Sequence, residues 1–271
     1  MEVNNNPLIS IVTVSYNAVS TIEQTILSVI NQMYPNIEYI IIDGGSTDGT
    51  VDIIKKYADK IAYWVSEPDR GIYDAMNKGI DVATGEWVNF MNCGDRFYNI
   101  MVIYDILGNL KQNEVDVIYG NRICSYFNTQ YIQRPRPLSQ FSLDFPIFHQ
   151  SAFIKTIVMK EMKYNLQYKI CADYDFFYRL WNQKGTFLYV DSIMSICDCE
   201  FGISSVYKNE LLRIQENEYI RLGTLGLRSY IRLLKVEVIS RLKVLLKFLF
   251  PKIFIKLRNK RLEKSIYIIK A

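Results

Sequence analysis

Short apolar runs alternate with amphipathic segments along the first hundred residues. Four runs rich in Ile, Val and aromatic residues are typical of buried strands: "ISIVTVSY", "IEYIIID", "IAYWVSE" and "EWVNFMN". The segments between them place apolar residues on one helical face, and the first does so at positions 22, 26, 29 and 30. Strands that alternate with helices of about ten residues predict βαβ units, and therefore an α/β fold with a mainly parallel sheet.

The pattern changes after about residue 115. A further predicted strand, "VDVIYGNR", is followed by an irregular stretch with three closely spaced prolines and then by "PIFHQSAFIK", which predicts a strand entering a second subregion. The segment "ADYDFFYRLWNQKG" predicts a helix, because Asp173 lies in its first turn and Gly185 ends it. We therefore divide the chain into residues 1–115, residues 116–222 of the same domain, and a tail of residues 223–271.

Positive charge is concentrated in the tail. The whole chain has a net charge of +4, yet residues 221–271 carry 14 Lys and Arg against two acids, Glu237 and Glu263. Apolar residues interrupted by Lys and Arg predict an amphipathic helix, whose charges recur too often for a membrane span. Its aliphatic content favours an anionic membrane surface as the partner of residues 225–271 and disfavours nucleic acid. The alternative is a contact between copies of the chain in a homo-oligomer.

The cysteines, the single histidine and the amino-terminal sequence limit the classes of protein to which this chain could belong. Five cysteines, an odd number without C-x-x-C spacing, predict neither a disulfide framework nor a zinc site. The single histidine, His149, excludes metal sites made of several histidines and weakens any Ser-His-Asp proposal. No basic stretch and no small-residue cleavage site begin the chain, so no signal peptide is predicted. These features predict a protein that stays in the reducing cytoplasm.

Polar loops follow each of the four predicted strands. They are "SYN", "DGGSTDG", "SEPDRG" and "NCGD". Ligands of parallel α/β sheets bind outside the carboxyl ends of the strands, so the four loops are expected to line one crevice. There the Asp43 carboxylate suits hydrogen bonds from a nucleobase or a ribose. The alternative is an Asx turn that caps the next helix, which is the role favoured for Asp48.

Two further aspartates have positions that suit catalysis. Asp95 follows the fourth strand, where a hard cation that bridges a diphosphate needs an oxygen ligand, although an isolated Asp there is more often a turn residue. Asp173 at a helix start suits a general base, although the helix dipole favours an acid there in any protein. The residues alone leave both alternatives open.

Taken in order, five segments resemble the family 2 glycosyltransferases. They are "ISIVTVSYN", "IEYIIIDGGSTDGT", "SEPDRGIYDAMNKGIDVATGEWVNFMNCGD", "HQSAFI" and "CADYDFFYRL", and the resemblance covers roughly residues 8–200. The bacterial members that build exopolysaccharide, capsule or lipopolysaccharide O-antigen are the most similar. The resemblance implies a GT-A fold with a Rossmann-like sheet, and an inverting transfer of a sugar from a nucleotide diphosphate donor, usually UDP-linked, with Mg²⁺ or Mn²⁺.

The resemblance also implies roles for individual residues. The positions that match the donor-binding residues of the family are Ser15, Tyr16, Asn17, Asp43, Asp69, Arg70, Asn92 and Gly94. Asp95 matches the ligand of the metal that neutralises the leaving diphosphate, and Asp173 matches the base that takes the proton of the acceptor hydroxyl. His149 and Gln150 fall where the wall on the acceptor side is expected, with a packing role as the alternative. Residues 1–115 are then the donor half and residues 116–222 the acceptor and base half.

The chain departs from the commoner family pattern in two places. Many members carry adjacent acids where this chain has Gly94 before Asp95, and many have Glu where Ala172 precedes Asp173. The thin metal site motivates one alternative, an inactive transferase-like scaffold subunit, but both aspartates are present. Another alternative is a sugar nucleotidyltransferase. Such an enzyme requires a Gly-rich basic loop after the first strand, and the segment "SYNAVST" at that place is not such a loop. We expect a peripheral enzyme at the cytoplasmic face of the plasma membrane, acting on a glycan or a polyprenyl-diphosphate-linked acceptor.

Overall fold

A computed structural model gives the fold of residues 6–107, 115–126, 129–141, 146–198 and 207–226, with a few isolated positions after residue 226. The described strands are β1 (Ile9–Ser15), β2 (Ile37–Asp43), β3 (Tyr63–Ser66), β4 (Trp87–Phe90), β5 (Arg96–Phe97), β6 (Val117–Tyr126), β7 (Thr129–Gln133), β8 (Ala152–Lys155), β9 (Phe187–Asp198) and β10 (Tyr267–Ile268). The described helices are α1 (Ile22–Ile30), α2 (Thr50–Lys56), α3 (Ile72–Val82), α4 (Val102–Leu107), α5 (Thr156–Met162), α6 (Ala172–Asn182) and α7 (Tyr207–Leu222). Short 3₁₀ turns lie at Ala58–Lys60, Leu138–Gln140 and His149–Ser151.

The amino-terminal half of the sheet is parallel. Its strands lie in the order β3-β2-β1-β4, and every neighbouring pair runs in the same direction. The register places Ser15 beside Asp43 and Asp43 beside Ser66, so three strands end at one level. The α/β class with a mainly parallel sheet is confirmed, and so is the shared edge at which the polar loops meet.

The second half of the sheet is built around β8, which pairs antiparallel with both β4 and β6. Strand β6 pairs antiparallel with β7 and parallel with the long strand β9, and β9 also pairs with β5. The segment predicted as one strand, "PIFHQSAFIK", has its regular pairing only from Ala152 to Lys155, because the turn at His149–Ser151 comes first. That turn packs against β4, which brings it to the carboxyl edge of the parallel strands.

Helices cover both faces of the parallel strands, which explains why the strands are apolar throughout. Alternate residues of β1 enter different clusters: Ile9 and Ile11 pack on one side with α1, whereas Val12 and Val14 pack on the other with α3. The second cluster also receives the fully buried ring of Phe176 from α6. This packing fixes the start of α6 relative to α3.

The expectation about disulfides needs correction, and the expectation about the tail lies mostly outside the described residues. Cys124 in β6 is disulfide-bonded, whereas Cys93, Cys171 and Cys197 are not. The prediction of no disulfide is therefore wrong at Cys124, because spacing along a chain does not report which cysteines the fold brings together. The amphipathic tail falls mostly outside the described residues. Among those residues, no helix is long and apolar enough to cross a membrane.

Candidate active site

The Asp43 carboxylate joins three loops at the carboxyl edge of the sheet. Its side chain is fully buried and accepts five hydrogen bonds of 2.6–3.1 Å. The donors are the hydroxyls of Ser15, Ser46 and Ser66 and the backbone N–H groups of Gly45 and Ser46. A carboxylate offers about four lone-pair sites, so Asp43 is saturated by its own loops. In this structure it organises the loops, and its predicted contact with a ribose or a base stays a prediction.

The charge of Asp43 is stabilised by these contacts. Burial by itself raises the pKa of this carboxyl, but the hydrogen bonds from Ser46, Ser66 and Ser15 outweigh it, so the pKa lies below its ordinary value. The group is therefore an anion at neutral pH, held by hydrogen bonds without a positively charged partner among them.

The loop of residues 15–17 presents an exposed aromatic ring to the crevice edge. Asn17 has a φ of +47°, and its side-chain Oδ1 accepts a hydrogen bond of 3.0 Å from the Thr47 N–H. Tyr16 keeps 67% of its surface exposed. A Cβ added at Gly44 would collide with the Asp69 carboxylate and lie 3.3 Å from the Tyr16 ring, so Tyr16 and Asp69 flank this glycine. Tyr16 and Asp69 are thus brought together beside Gly44, and contact of Tyr16 with a nucleobase stays a prediction.

Arg70 holds the start of α3. Its guanidinium Nη2 donates to Asp74 Oδ1 at 2.8 Å and its backbone N–H donates to Asp74 Oδ2 at 3.0 Å, while its own side chain stays 78% exposed. The Arg70 guanidinium lowers the pKa of Asp74. Asp69 Oδ1 accepts a bond of 2.8 Å from the Gly71 N–H in the same turn. These contacts tie the loop to the first turn of α3, and contact of Arg70 with a diphosphate stays a prediction.

Asp95 lies just beyond β4, in a turn made by Gly94. Gly94 has a φ of +93°, and nothing lies within 4 Å of where a Cβ would stand, so the turn faces open space. Asp95 Oδ2 accepts a hydrogen bond of 2.9 Å from Gln150 Nε2, and Thr25 Oγ1 donates to the Asp95 carbonyl at 2.8 Å. Desolvation raises the pKa of the Asp95 carboxyl, although His149 and Gln150 act in the opposite direction.

Asp173, the second residue of α6, faces the same crevice from the other half of the chain. It is 9% exposed. Its Oδ1 lies 3.0 Å from the Tyr73 hydroxyl and accepts the N–H of Tyr174 at 2.9 Å. Its Oδ2 lies 3.2 Å from His149 Nδ1. A carboxylate held on both oxygens but not sealed from solvent is suited to receive a proton from a bound hydroxyl.

His149 and Gln150 connect the two aspartates. His149 Nε2 lies 3.4 Å from Asn92 Nδ2, so an Asn92 amide that donates to Nε2 leaves the proton on Nδ1, facing Asp173. The next residue, Gln150, donates to Asp95. The structure therefore gives both residues polar contacts inside the site and shows more than packing.

Comparison with known proteins decides the family. The sequence model described as "Glycosyl transferase family 2" matches residues 10–204, well over half of the chain. The chain belongs to this family. A PGL/p-HBAD biosynthesis glycosyltransferase of Mycobacterium tuberculosis is 27% identical over 266 residues, which cover 94% of this chain and 99% of the relative. An uncharacterized glycosyltransferase of the same species is 34% identical over 179 residues, 64% of this chain and 68% of the relative.

Solved structures show the same GT-A fold. The mannosyltransferase PcManGT from Pyrobaculum calidifontis, in complex with GDP-Man and Mn²⁺, has a TM-score of 0.61 at 20% identity and covers 85% of this chain and 69% of its own. S. aureus TarS 1–349 in complex with UDP has a TM-score of 0.59 at 18% identity, covering 80% of this chain and 70% of its own. At these identities the likeness establishes the fold of this glycosyltransferase.

Asn92, Asp95 and Gln150, just beyond β4 of this glycosyltransferase, carry oxygens of the kind that a hard cation binds. Asn92 Oδ1 and Gln150 Oε1 are buried without a hydrogen-bond partner among the described residues, and Gln150 contacts the Asp95 carboxylate. Within that part of the chain, no group of three or more His, Cys, Asp or Glu side chains could hold a metal. A site for Mg²⁺ or Mn²⁺ would therefore rest on Asp95 and amide oxygens, with the remaining ligands supplied by a diphosphate and water.

Sequence reasoning missed two side chains of the site. Ser66 closes β3 and donates to Asp43 at 2.6 Å; its place in the polar loop "SEPDRG" was the available signal. Tyr73 contacts Asp173 across 100 positions of sequence, and no local pattern marks it. The predicted Asx turn at Asp48 is present just before α2, since Asp48 Oδ1 accepts the N–H and the hydroxyl of Thr50, whereas the N-cap residue of α2 is Gly49.

Proposed function

We propose that this glycosyltransferase moves a sugar from a nucleotide diphosphate donor, most simply a UDP-sugar, to a hydroxyl of a lipid-linked or polysaccharide acceptor, with inversion at the anomeric carbon. The observation that carries the proposal is the bridge of two consecutive residues, His149 and Gln150, between Asp173 and Asp95. This bridge brings Asp173, the proposed base, and Asp95, proposed to lie at the diphosphate of the donor, to the same crevice.

In this mechanism Asp173 acts as the general base. An acceptor hydroxyl bound against Asp173 Oδ2 attacks the anomeric carbon from the face opposite the diphosphate while its proton passes to the carboxylate. His149 Nδ1 orients that carboxylate, and the Tyr73 hydroxyl holds its other oxygen. A positioned base of this kind contributes about 10²- to 10⁴-fold to rate.

The donor binds across the ends of β1, β2 and β4. Tyr16 stacks on the nucleobase, residues 15–17 and 43–46 frame the base and ribose, and Asp69 with Arg70 lies against the nucleotide. Mg²⁺ or Mn²⁺ at Asp95, with Asn92 and Gln150 beside it, would supply positive charge to the departing diphosphate. UDP and GDP-Man in the solved neighbours support a nucleoside diphosphate in this crevice.

The proposal is tested with a panel of UDP-, GDP- and TDP-sugars in Mg²⁺ or Mn²⁺, scored by thermal shift and by product release. We expect one donor class to raise the melting temperature and to release nucleoside diphosphate when acceptor is added. Release of pyrophosphate would instead identify a sugar nucleotidyltransferase. Binding of donors without any turnover by the intact protein would identify the scaffold subunit.

For the acceptor and the location, we propose a surface-glycan intermediate on a polyprenyl diphosphate, reached from the cytoplasmic face of the membrane. The support is the basic, aliphatic composition of residues 225–271. We expect the full chain to sediment with vesicles containing anionic phospholipid and a chain shortened at residue 225 to stay in the supernatant. Equal sedimentation of the two proteins contradicts this role. A concentration-dependent change in mass that needs the tail indicates the oligomer contact.

A further inference from the structure

Helix α7 places a carboxylate on the loop that leads into α6. Glu216 is 8% exposed and accepts three backbone N–H groups in a row. Its Oε1 is 2.8 Å from the N–H nitrogen of Lys169, and its Oε2 is 2.9 Å from the nitrogens of Ile170 and Cys171. Hydrogen bonds from neutral donors to a charged acceptor are about twice as strong as neutral ones, so one side chain fixes three consecutive peptide groups.

These peptide groups immediately precede the proposed base. Cys171 is the N-cap residue of α6 and its side chain makes no capping bond, while Asp173 is the second helical residue. Cys171 touches α7 again, through an Sγ–oxygen distance of 3.6 Å to the Arg213 carbonyl. The start of α6 is therefore held from outside its own helix.

The same loop is held from its other side by Tyr73. The Tyr73 hydroxyl oxygen lies 2.7 Å from the Ile170 carbonyl oxygen and 3.0 Å from Asp173 Oδ1. The single phenolic proton is shared between these two acceptors, so Ile170 is bound at its N–H by Glu216 and at its carbonyl by the hydroxyl that also contacts Asp173. Any shift of this peptide group moves a direct partner of Asp173.

We propose that Glu216 is a positioning residue for Asp173: it holds residues 169–171 so that the base meets Tyr73 and His149 in the orientation needed for proton transfer. The inference rests on the proposed function for its catalytic consequence. Helix α7 begins after the segment 10–204 that the family model matches, so neither the family nor the motifs of the sequence assign this role. Helix α7 is then part of the catalytic apparatus of this chain.

Hydrogen exchange tests the anchoring without any substrate. In full-length Glu216→Gln, one carboxylate oxygen is replaced by an NH₂ group, which cannot accept a hydrogen bond from the backbone N–H groups of residues 169–171. Hydrogen exchange at these residues should therefore accelerate by about tenfold or more. The control is Gln215→Ala, the exposed neighbour on the same helix, which should leave that exchange unchanged. Equal protection in Glu216→Gln and wild type overturns the anchoring.

Steady-state kinetics test the consequence for catalysis, at a temperature well below the melting point of every variant. We expect Glu216→Gln to lower kcat about 10- to 100-fold with an unchanged KM for the donor, because a small misplacement of a reacting group has that effect and the donor loops lie elsewhere. Glu216→Asp keeps the charge and should recover part of the loss. A wild-type kcat in Glu216→Gln, or equal losses in kcat and donor binding, overturns the positioning role.

The two experiments separate this inference from the function on which it rests. If the wild-type protein transfers no sugar from any donor, the proposed function fails, and the exchange result alone decides whether Glu216 holds the loop. If transfer is observed and Glu216→Gln loosens the loop with full turnover, the function stands and the positioning role is overturned.

Discussion

The side of the site proposed for the donor, around Asp43, and the side proposed for catalysis, around Asp173 and Asp95, are held together in different ways. On the donor side, Asp43 takes three of its five hydrogen bonds from its own turn and the others from Ser15 and Ser66, which the parallel register places beside it. On the catalytic side, Asp173 and Asp95 are contacted by Tyr73, His149 and Gln150, across 100, 24 and 55 positions of sequence.

The two sides therefore depend on different parts of the fold. The hydrogen bonds of Asp43 need only the parallel strands β1 to β3 and the turn that follows β2. The side proposed for catalysis needs β8 to pair with β4 and α6 to pack against α3, because only then do Asp173, His149 and Asp95 meet. Substitutions on the donor side should therefore change stability and donor binding, whereas those on the catalytic side should change turnover.

The largest effect is expected from Asp173→Asn. The amide has no basic oxygen to take the acceptor proton, so kcat should fall about 10³-fold while donor affinity, measured by calorimetry with a nonreacting nucleotide, is kept. Asp52→Asn, an exposed acid in the first turn of α2, is the matched control and should be fully active. Full activity in Asp173→Asn would show that Asp173 is not the general base.

Asp95→Asn tests the residue proposed to hold the cation between the donor diphosphate and the protein. Loss of the only carboxylate proposed for the cation should lower kcat/KM about 100-fold and raise the Mg²⁺ or Mn²⁺ concentration needed for half-maximal rate. The measurement is a metal titration of nucleoside diphosphate release, with the exposed Asp59→Asn as control. An unchanged titration curve would show that Asp95 is a turn residue.

His149→Ala tests the contact between the turn at His149–Ser151 and the Asp173 carboxylate. Without Nδ1 the Asp173 carboxylate loses one orienting partner, and kcat should fall about tenfold with donor KM unchanged. His149→Asn, whose amide can still donate, should keep more activity. If KM for the acceptor rises while kcat stays the same, the residue forms the acceptor wall and does not orient the base.

The smallest effect on turnover is expected from Asp43→Asn, which should act on stability. Its amide would face hydroxyl and N–H donors, at a cost of about 2 kcal/mol in the free energy of unfolding. Because the folded pKa of Asp43 lies below its unfolded value of about 4, its stabilisation is present above that pH and is lost as the pH falls below it. Urea unfolding from pH 3 to 7 should show a shallower acid loss in the variant. Equal slopes contradict a depressed pKa.

The parallel half of the fold could be predicted almost completely. Strands β1 to β4 and helices α1 to α3 appear where hydrophobic periodicity places them, because each is a local pattern of burial along the chain. The antiparallel half could be predicted less well. The packing of the His149–Ser151 turn on β4 and the contacts of the Glu216 carboxylate with residues 169–171 depend on partners far away in sequence.

The sequence by itself determined the fold class, the family and the aspartates at the ends of strands and helices, since these follow from periodicity and from short ordered motifs. Only the tertiary structure decided that Asp43 is saturated by its own loops, that His149 and Gln150 bridge Asp173 and Asp95, and that α7 contacts the loop before Asp173. The physical reason is that a hydrogen bond is specified to a few tenths of an ångström by the packing of whole elements, and no local pattern of residues records that distance.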